Sequence, residues 1–289
     1  MKKIRIISPA KAIELEHLNY AKSFLEENGF MVEFGKNAGG QFNYFSGTDE
    51  ERLNDLQEAI NDESVSIILC ARGGYGVVRI IDQVDFSPLL GTNRIIAGYS
   101  DITVLHEHLF ANHKHVGLHS SAPLNFKENT REALESLITA FSEGQLNYRF
   151  ESHPLNINGE AKGQVIGGNL SIIYSLIGTN SDYDFSDKIL FVEEIGEAVY
   201  SIDRMFYSLK KSGKLDVLKA VIIGGISNIK DSAIPFGKSV EEVIYEHVKD
   251  LGIPLCFNFP AGHIDNNRAL FIGKSADIQI HDSYSEFAQ

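Results

Sequence analysis

The chain has 289 residues, 43% hydrophobic and 22% charged, with a formal net charge of −13. That is the composition of an ordinary globular protein long enough for two domains, and its acidic balance argues against a surface that tracks nucleic-acid phosphates or lies on an anionic membrane. No run approaches the ~18 apolar residues of a membrane span, and the N-terminal run at residues 4–7 is too short for a signal segment, so the expected location is the cytoplasm. Cys70 and Cys256 lie far apart in apolar, strand-like runs and read as reduced, buried thiols rather than a disulfide framework.

In chain order, residues 4–7 form a short apolar strand, and Ile13 to Asn28 carries helical periodicity closed by Asn28-Gly29. Met31 to Phe34 is a second strand. Thr48 and Glu51 make a capping box for a helix through Asp62. The strand Ser66 to Cys70 runs into Arg72-Gly73-Gly74-Tyr75-Gly76 and then a helical stretch that includes Arg79. Arg94 to Ala97, the helix Ile102 to Ala111 and a strand at His115 to Gly117 follow, and Thr130 to Phe141 is a further helix. Strands alternating with helices predict a parallel, Rossmann-like sheet over residues 1–150, with ligands at the C-terminal ends of its strands.

Residues 147–163 are polar and extended, which places a linker at 151–163. Beyond it, 164–289 reads as a mixed α+β domain. Gln164 to Leu170 is a strand entering a helix, Ile189 to Glu193 is a buried strand, and Ile202 to Ser212 is helical. Strands at Ala220 to Gly224, Pro254 to Phe257, Leu270 to Ile272 and Ile278 to Ile280 surround a helix from Val240 to Leu251.

Gly98-Tyr99-Ser100-Asp101 is a strand-to-helix corner, a place where a serine is presented to solvent with a helix N-terminus behind it. Ser100 there is either a nucleophile or a helix cap. A nucleophilic serine needs a base, an acid to orient the base, and donors for the oxyanion. The strand ending in Glu193-Glu194 offers the acid, because a carboxylate at the end of a buried strand needs a partner. His263, after Gly262 in the loop Phe259 to Asp265, offers the base. Gly73, Gly74 and Gly76 leave backbone N–H groups free to converge on an anion, while the lysine and the Ser/Thr of a phosphate loop are missing. Gly167 and Gly168 read either as close packing or as substrate approach. No metal motif occurs, and neither metal nor cofactor is expected.

Together these pieces resemble the LD-carboxypeptidase family of serine peptidases, which includes the microcin C immunity peptidases. The matching stretches are Arg72 to Gly76, Gly98 to Asp101, Gly167 to Leu170, Val192-Glu193-Glu194 with Asp203-Arg204-Met205 after it, and Pro260 to His263, in the family's order across nearly the whole chain. The resemblance implies an active site at the interface of the two domains. It makes Ser100 the nucleophile, His263 the general base and Glu193 the orienting acid, with Glu194 the alternate. It also puts the backbone N–H groups of Gly74 and Asp101 in the oxyanion hole.

A terminal carboxylate on the substrate calls for a cation, and Arg72, Arg79 or Arg204 could supply it. Arg204 could equally form a structural ion pair. Tyr75 and Asn169 complete the substrate-binding candidates. The chain departs from the family's usual His-Gly-Pro with Leu118-His119-Ser120-Ser121, and it has no tryptophan, which mildly favours a peptidoglycan substrate over an aminoacyl-nucleotide. The expected activity is release of terminal D-alanine from a murein tetrapeptide. The rivals are a microcin C-type peptidase and a non-catalytic binder of small peptides. The expected partner is a muropeptide, with no nucleic acid and no membrane, and a homodimer is left open.

Overall fold

The protein is described here by a computed structural model covering residues 1–231 and 233–289. Its first half contributes β1 (Lys3–Ile7), α1 (Leu15–Glu27), β2 (Met31–Phe34), α2 (Asp49–Asn61), β3 (Val65–Cys70), β4 (Ile95–Gly98), α3 (Thr103–His113), β5 (Gly117–His119) and α4 (Arg131–Ser142). Thr48 and Glu51 close the expected capping box at the start of α2. The second half contributes β6 (Asn147–Glu151), β7 (Gly159–Asn169), α5 (Leu170–Leu176), β8 (Ile189–Ile195), α6 (Val199–Lys211), β9 (Ala220–Ser227), α7 (Val240–Val248), β10 (Leu255–Cys256), β11 (Leu270–Ile272), β12 (Ser275–Ile280) and β13 (Tyr284–Ala288).

Two sheets result. The first, in the order β11-β5-β4-β3-β1-β2, is parallel except for β11, which arrives from the far end of the chain and pairs antiparallel with β5. The second, β10-β9-β8-β7-β12-β13-β6, is parallel on one side of β7 and antiparallel on the other. An α/β fold with a parallel first sheet and a mixed second one is what the alternation of elements implied.

Strands buried on both faces read as continuous apolar runs, and β3 shows why. Ile67 and Leu69 enter one apolar cluster, while Ile68 and Cys70 enter another on the opposite face. The first of these clusters also holds Ala97, Leu118, Phe191 and Ala261, so the two sheets share one core and are locked against each other. Cys70 and Cys256 are buried free thiols, as their settings implied. No helix among the described residues is long and apolar enough to cross a membrane.

Several local expectations are corrected. The stretch after Gly76 forms short 3-10 turns at Val77–Arg79, Ile81–Gln83 and Ser87–Leu89 instead of a helix, consistent with four β-branched residues among 77–81 and Pro88 beyond them. The fifth strand is Gly117–His119 rather than His115–Gly117. The polar segment 147–163, in which a linker is expected at 151–163, is largely strand. It holds β6 and the start of β7, whose outer half pairs antiparallel with β12 and stays partly exposed while its inner half is buried against β8. Alternating polar residues there mark a half-solvated strand.

Candidate active site

β3 and β4 are neighbours in the first sheet, and the loops leaving them meet. After β4 the chain turns through Tyr99 into a single 3-10 turn, Ser100–Ile102, before α3 begins. Ser100 has φ +66°, a left-handed conformation that non-glycine residues adopt at a cost and that recurs where a nucleophile is held out at a strand-to-helix turn. Ser100 is the first residue of that turn, not its N-cap, which is Tyr99.

The glycine loop lies directly against this turn. A methyl group at Gly73 would fall 2.7 Å from Ser100 Cβ and 2.9 Å from both Ser100 Oγ and the Asp101 backbone nitrogen. Glycine therefore keeps open a small space onto which the serine hydroxyl and the Asp101 N–H converge, as a tetrahedral oxyanion requires. Gly74, with φ +111°, packs on Lys11 and Tyr44. The buried Asp101 carboxylate accepts the Val77 N–H at 2.9 Å, which ties the far end of the glycine loop to the serine turn, and burial raises its pKa. Sequence reasoning found Asp101 for its backbone only; its side chain is what fixes the two loops together.

The opposite wall comes from the second sheet. Along β8, Ile189 and Phe191 face the core shared with the first sheet, whereas Leu190 and Val192 face the core beneath α5 and α6. Glu193 continues the first face and accepts a hydrogen bond from His263 Nδ1 at 2.6 Å and another from the His263 backbone N–H at 3.3 Å. Gly262, at φ +113°, makes this approach possible, because a Cβ there would fall 2.6 Å from Glu193 Cβ.

Burial alone would raise the Glu193 pKa, but the His263 charge and hydrogen bond outweigh it and hold the carboxyl below its ordinary value. Burial likewise pulls His263 down, and Glu193 more than reverses that, leaving its pKa raised. With Nδ1–H given to the carboxylate, Nε2 is left as the basic atom. The Tyr99 ring lies 4.8 Å from the His263 ring, centroid to centroid, which brings the residue before Ser100 against the imidazole. No hydrogen bond joins Ser100 to His263 among the described residues; such bonds are often long without substrate and tighten in the complex.

Glu194 points the other way and does different work. It accepts from Asn169 Nδ2 at 3.1 Å, Ser171 N at 2.7 Å and Ile195 N at 2.8 Å, which anchors the start of α5 to the end of β8. Asn169 is committed to the same junction, with its Oδ1 accepting from Ile172 N at 3.3 Å and Ser171 Oγ at 2.7 Å. Gly168 settles the question of the second glycine pair in favour of close packing, since a Cβ there would strike Thr103 Oγ1 at 2.6 Å.

The arginines separate as well. Arg79 forms an ion pair with Asp49. Arg204 leans over Tyr200 and donates to Ser201 Oγ at 3.3 Å, with no acidic partner among the described residues. Arg72 is partly buried beside Tyr44 and Tyr99, donates to the Ala12 carbonyl at 2.9 Å, and likewise has no carboxylate partner among them. Tyr75 is 47% exposed and stands at the rim of the glycine loop against Phe45.

Comparison with known proteins supplies independent findings. The family model for the LD-carboxypeptidase N-terminal domain matches residues 4–120, and that for the LD-carboxypeptidase C-terminal domain matches 162–278. The chain is 35% identical over 278 residues to a probable murein peptide carboxypeptidase of Bacillus subtilis, covering 94% of this chain and 87% of that one. It superposes on the crystal structure of muramoyltetrapeptide carboxypeptidase from Oxalobacter formigenes with a TM-score of 0.91 and 26% identity, covering 99% and 98% of the two chains. It shares the fold of MccF solved with glutamyl sulfamoyl guanosine, at a TM-score of 0.88 and 20% identity, covering 100% and 96%.

Proposed function

The chain belongs to the LD-carboxypeptidase family, and on that footing we propose that it is a serine carboxypeptidase releasing terminal D-alanine from a murein tetrapeptide. The observation that carries the mechanism is the buried Glu193–His263 hydrogen bond of 2.6 Å facing a serine turn whose neighbouring glycine leaves an oxyanion-sized space.

Ser100 Oγ attacks the carbonyl carbon of the scissile bond while His263 Nε2 takes its proton. The negative charge that develops on the carbonyl oxygen is met by the Asp101 N–H, with the Gly74 N–H as second donor. Collapse expels the D-alanine amine, which takes the proton back from His263 and leaves an acyl ester on Ser100. Water, deprotonated by His263, then hydrolyses the ester and returns the serine. Glu193 holds the imidazole in the tautomer that exposes Nε2 and stabilises the imidazolium formed twice in the cycle.

Arg72 binds the free terminal carboxylate of the substrate. Its support is a partly buried guanidinium beside Tyr99 with no acidic partner among the described residues, in a chain of net charge −13. A cytoplasmic role in cell-wall recycling accords with two buried free thiols.

The test is D-alanine release by the purified protein from murein tetrapeptide, run beside an aminoacyl sulfamoyl adenosine. Ser100→Ala is expected to lower kcat by roughly 10⁵–10⁶-fold. A Ser100→Ala protein that releases D-alanine at the native rate would overturn the nucleophile, and faster cleavage of the nucleotide compound would overturn the substrate.

A further inference from the structure

His119 closes β5 directly beside the end of β4, paired in register with Gly98, one residue before Tyr99. Its ring is fully buried, and it stands edge-on between Phe191, at 5.0 Å, and Tyr99, at 5.8 Å between centroids. Phe191 is two residues before Glu193 on the same face of β8, and Tyr99 is the residue that packs on His263. His119 thus touches both walls of the site, yet neither of its ring nitrogens has a hydrogen-bond partner among the described residues. One more buried polar atom there is in the same state, the Glu193 Oε1 that His263 does not use. The side-chain amides of Asn267 and Asn169 stand close to His119 and Glu193 respectively without reaching hydrogen-bond geometry.

Unsatisfied polar atoms inside a fold cost free energy, and those grouped at one place in native proteins commonly share a bound water. We propose that His119 is a positioning residue for the reaction, a neutral imidazole that donates through one buried water to Oε1 of Glu193 and so fixes the carboxylate that orients His263. The neutral form is the one the site maintains, since burial pushes the His119 pKa down to about 4. The charged and titratable groups around it are Glu193 on β8, His263 on its loop, His106 on α3 and Tyr99 on the serine turn. His106 is itself held neutral by burial, with a pKa pushed down to about 3. The negative charge of Glu193 is therefore the field to which the His119 N–H responds.

This inference rests on the reading of Ser100, His263 and Glu193 as a triad, and its test has an arm that needs no turnover. In protein carrying Ser100→Ala and labelled at histidine, the His263 titration is followed by NMR with and without His119→Phe. Phe fills the same apolar slot but donates nothing, so Glu193 becomes more basic and the His263 titration is expected to move up by about half a pH unit. With Ser100 intact, His119→Phe is expected to lower kcat/KM about ten-fold, the size of one hydrogen bond to a charged group, and to carry the acid limb of the pH profile upward with it. His119→Gln, which keeps a donor, is expected to recover most of the loss. Unmoved His263 titration in His119→Phe, or equal losses in the Phe and Gln variants, would overturn the proposal. Should His119→Phe fail to fold, a high-resolution crystal structure of the native protein decides: an ordered water within hydrogen-bond distance of both His119 and Glu193 Oε1 supports the relay, and no such water overturns it.

Discussion

The two walls of the site are held by different physics. On the first wall, Ser100 is positioned mainly by backbone and close packing, a left-handed φ of +66° and a glycine at 73 with no room for a methyl, with the Asp101 carboxylate tying the turn to a loop N–H. On the second wall the backbone is strand, with its register to β9 shifting between Val192 and Glu194, and the chemistry lies in side chains, a buried carboxylate and an imidazole that shift each other's pKa. The first wall is therefore sensitive to added volume and the second to lost charge. Serine needs a fixed place in space, which strain and close packing provide, whereas the base needs a fixed tautomer and a stabilised cation, which only a charged partner provides.

Removing the charge on the second wall should have the larger effect. Glu193→Gln keeps the shape but puts an amide opposite Nδ1, and kcat is expected to fall by roughly 10³–10⁴-fold. The pH profile sharpens the point. Native His263 is raised above its ordinary 6.5, so the general base is neutral, and activity full, only above that value; the acid limb of kcat/KM should lie above pH 6.5. In Glu193→Gln the main raising influence is gone and burial remains, so the residual activity should show its limb below 6.5. A limb that stays above 6.5 in the variant would mean that another group holds the imidazolium.

Adding volume on the first wall comes next. Gly73→Ala brings a methyl to 2.9 Å from both Ser100 Oγ and the Asp101 nitrogen. No positive φ is required of Gly73, so the change should leave the backbone intact and act by filling the oxyanion space. The expected loss is about 10²–10³ in kcat, the size of one oxyanion donor, with thermal unfolding showing a destabilisation of about 1–3 kcal/mol from overpacking. Native kcat in a folded Gly73→Ala protein would remove this space from the mechanism.

Much of this division was legible in the sequence, and unevenly so. The parallel sheet followed from alternating apolar strands and periodic helices, and the corner at Ser100, the loop at Gly73 and the histidine at 263 were singled out by glycines placed after strands, while the roles proposed for them came from the family resemblance. The choice between Glu193 and Glu194 rested on the family resemblance, and it is the fold's hydrogen bonds that separate them, Glu193 bonding to His263 and Glu194 to Asn169, Ser171 and Ile195. What stayed hidden depends on tertiary neighbours. β11 returns from residue 270 to finish the first sheet, and β6 pairs with β13 to form an edge of the second, through pairings between segments more than a hundred residues apart. His119 stood in the sequence only within Leu118-His119-Ser120-Ser121, where the chain departs from the family's usual His-Gly-Pro, and nothing local marks its burial against Phe191 and Tyr99. The three arginines were indistinguishable until Asp49 was seen to occupy Arg79.

The smallest effect is expected at Glu194, and it separates the two adjacent carboxylates most finely. Its oxygens are taken by Asn169, Ser171 and Ile195, so it orients nothing in the site, and Glu194→Gln should lower kcat by less than about ten-fold. It does act at a distance, since its charge is one of the influences that raise His263. Neutralising it removes a little of that support, the His263 pKa falls, and the acid limb should move down by about a few tenths of a pH unit. The direction is the same as in Glu193→Gln but the size is much smaller, because a charge without a hydrogen bond to the imidazole stabilises the cation only through space. A Glu194→Gln limb displaced as far as that of Glu193→Gln would mean that the two carboxylates hold His263 jointly, and the assignment of one acid to the base would fail.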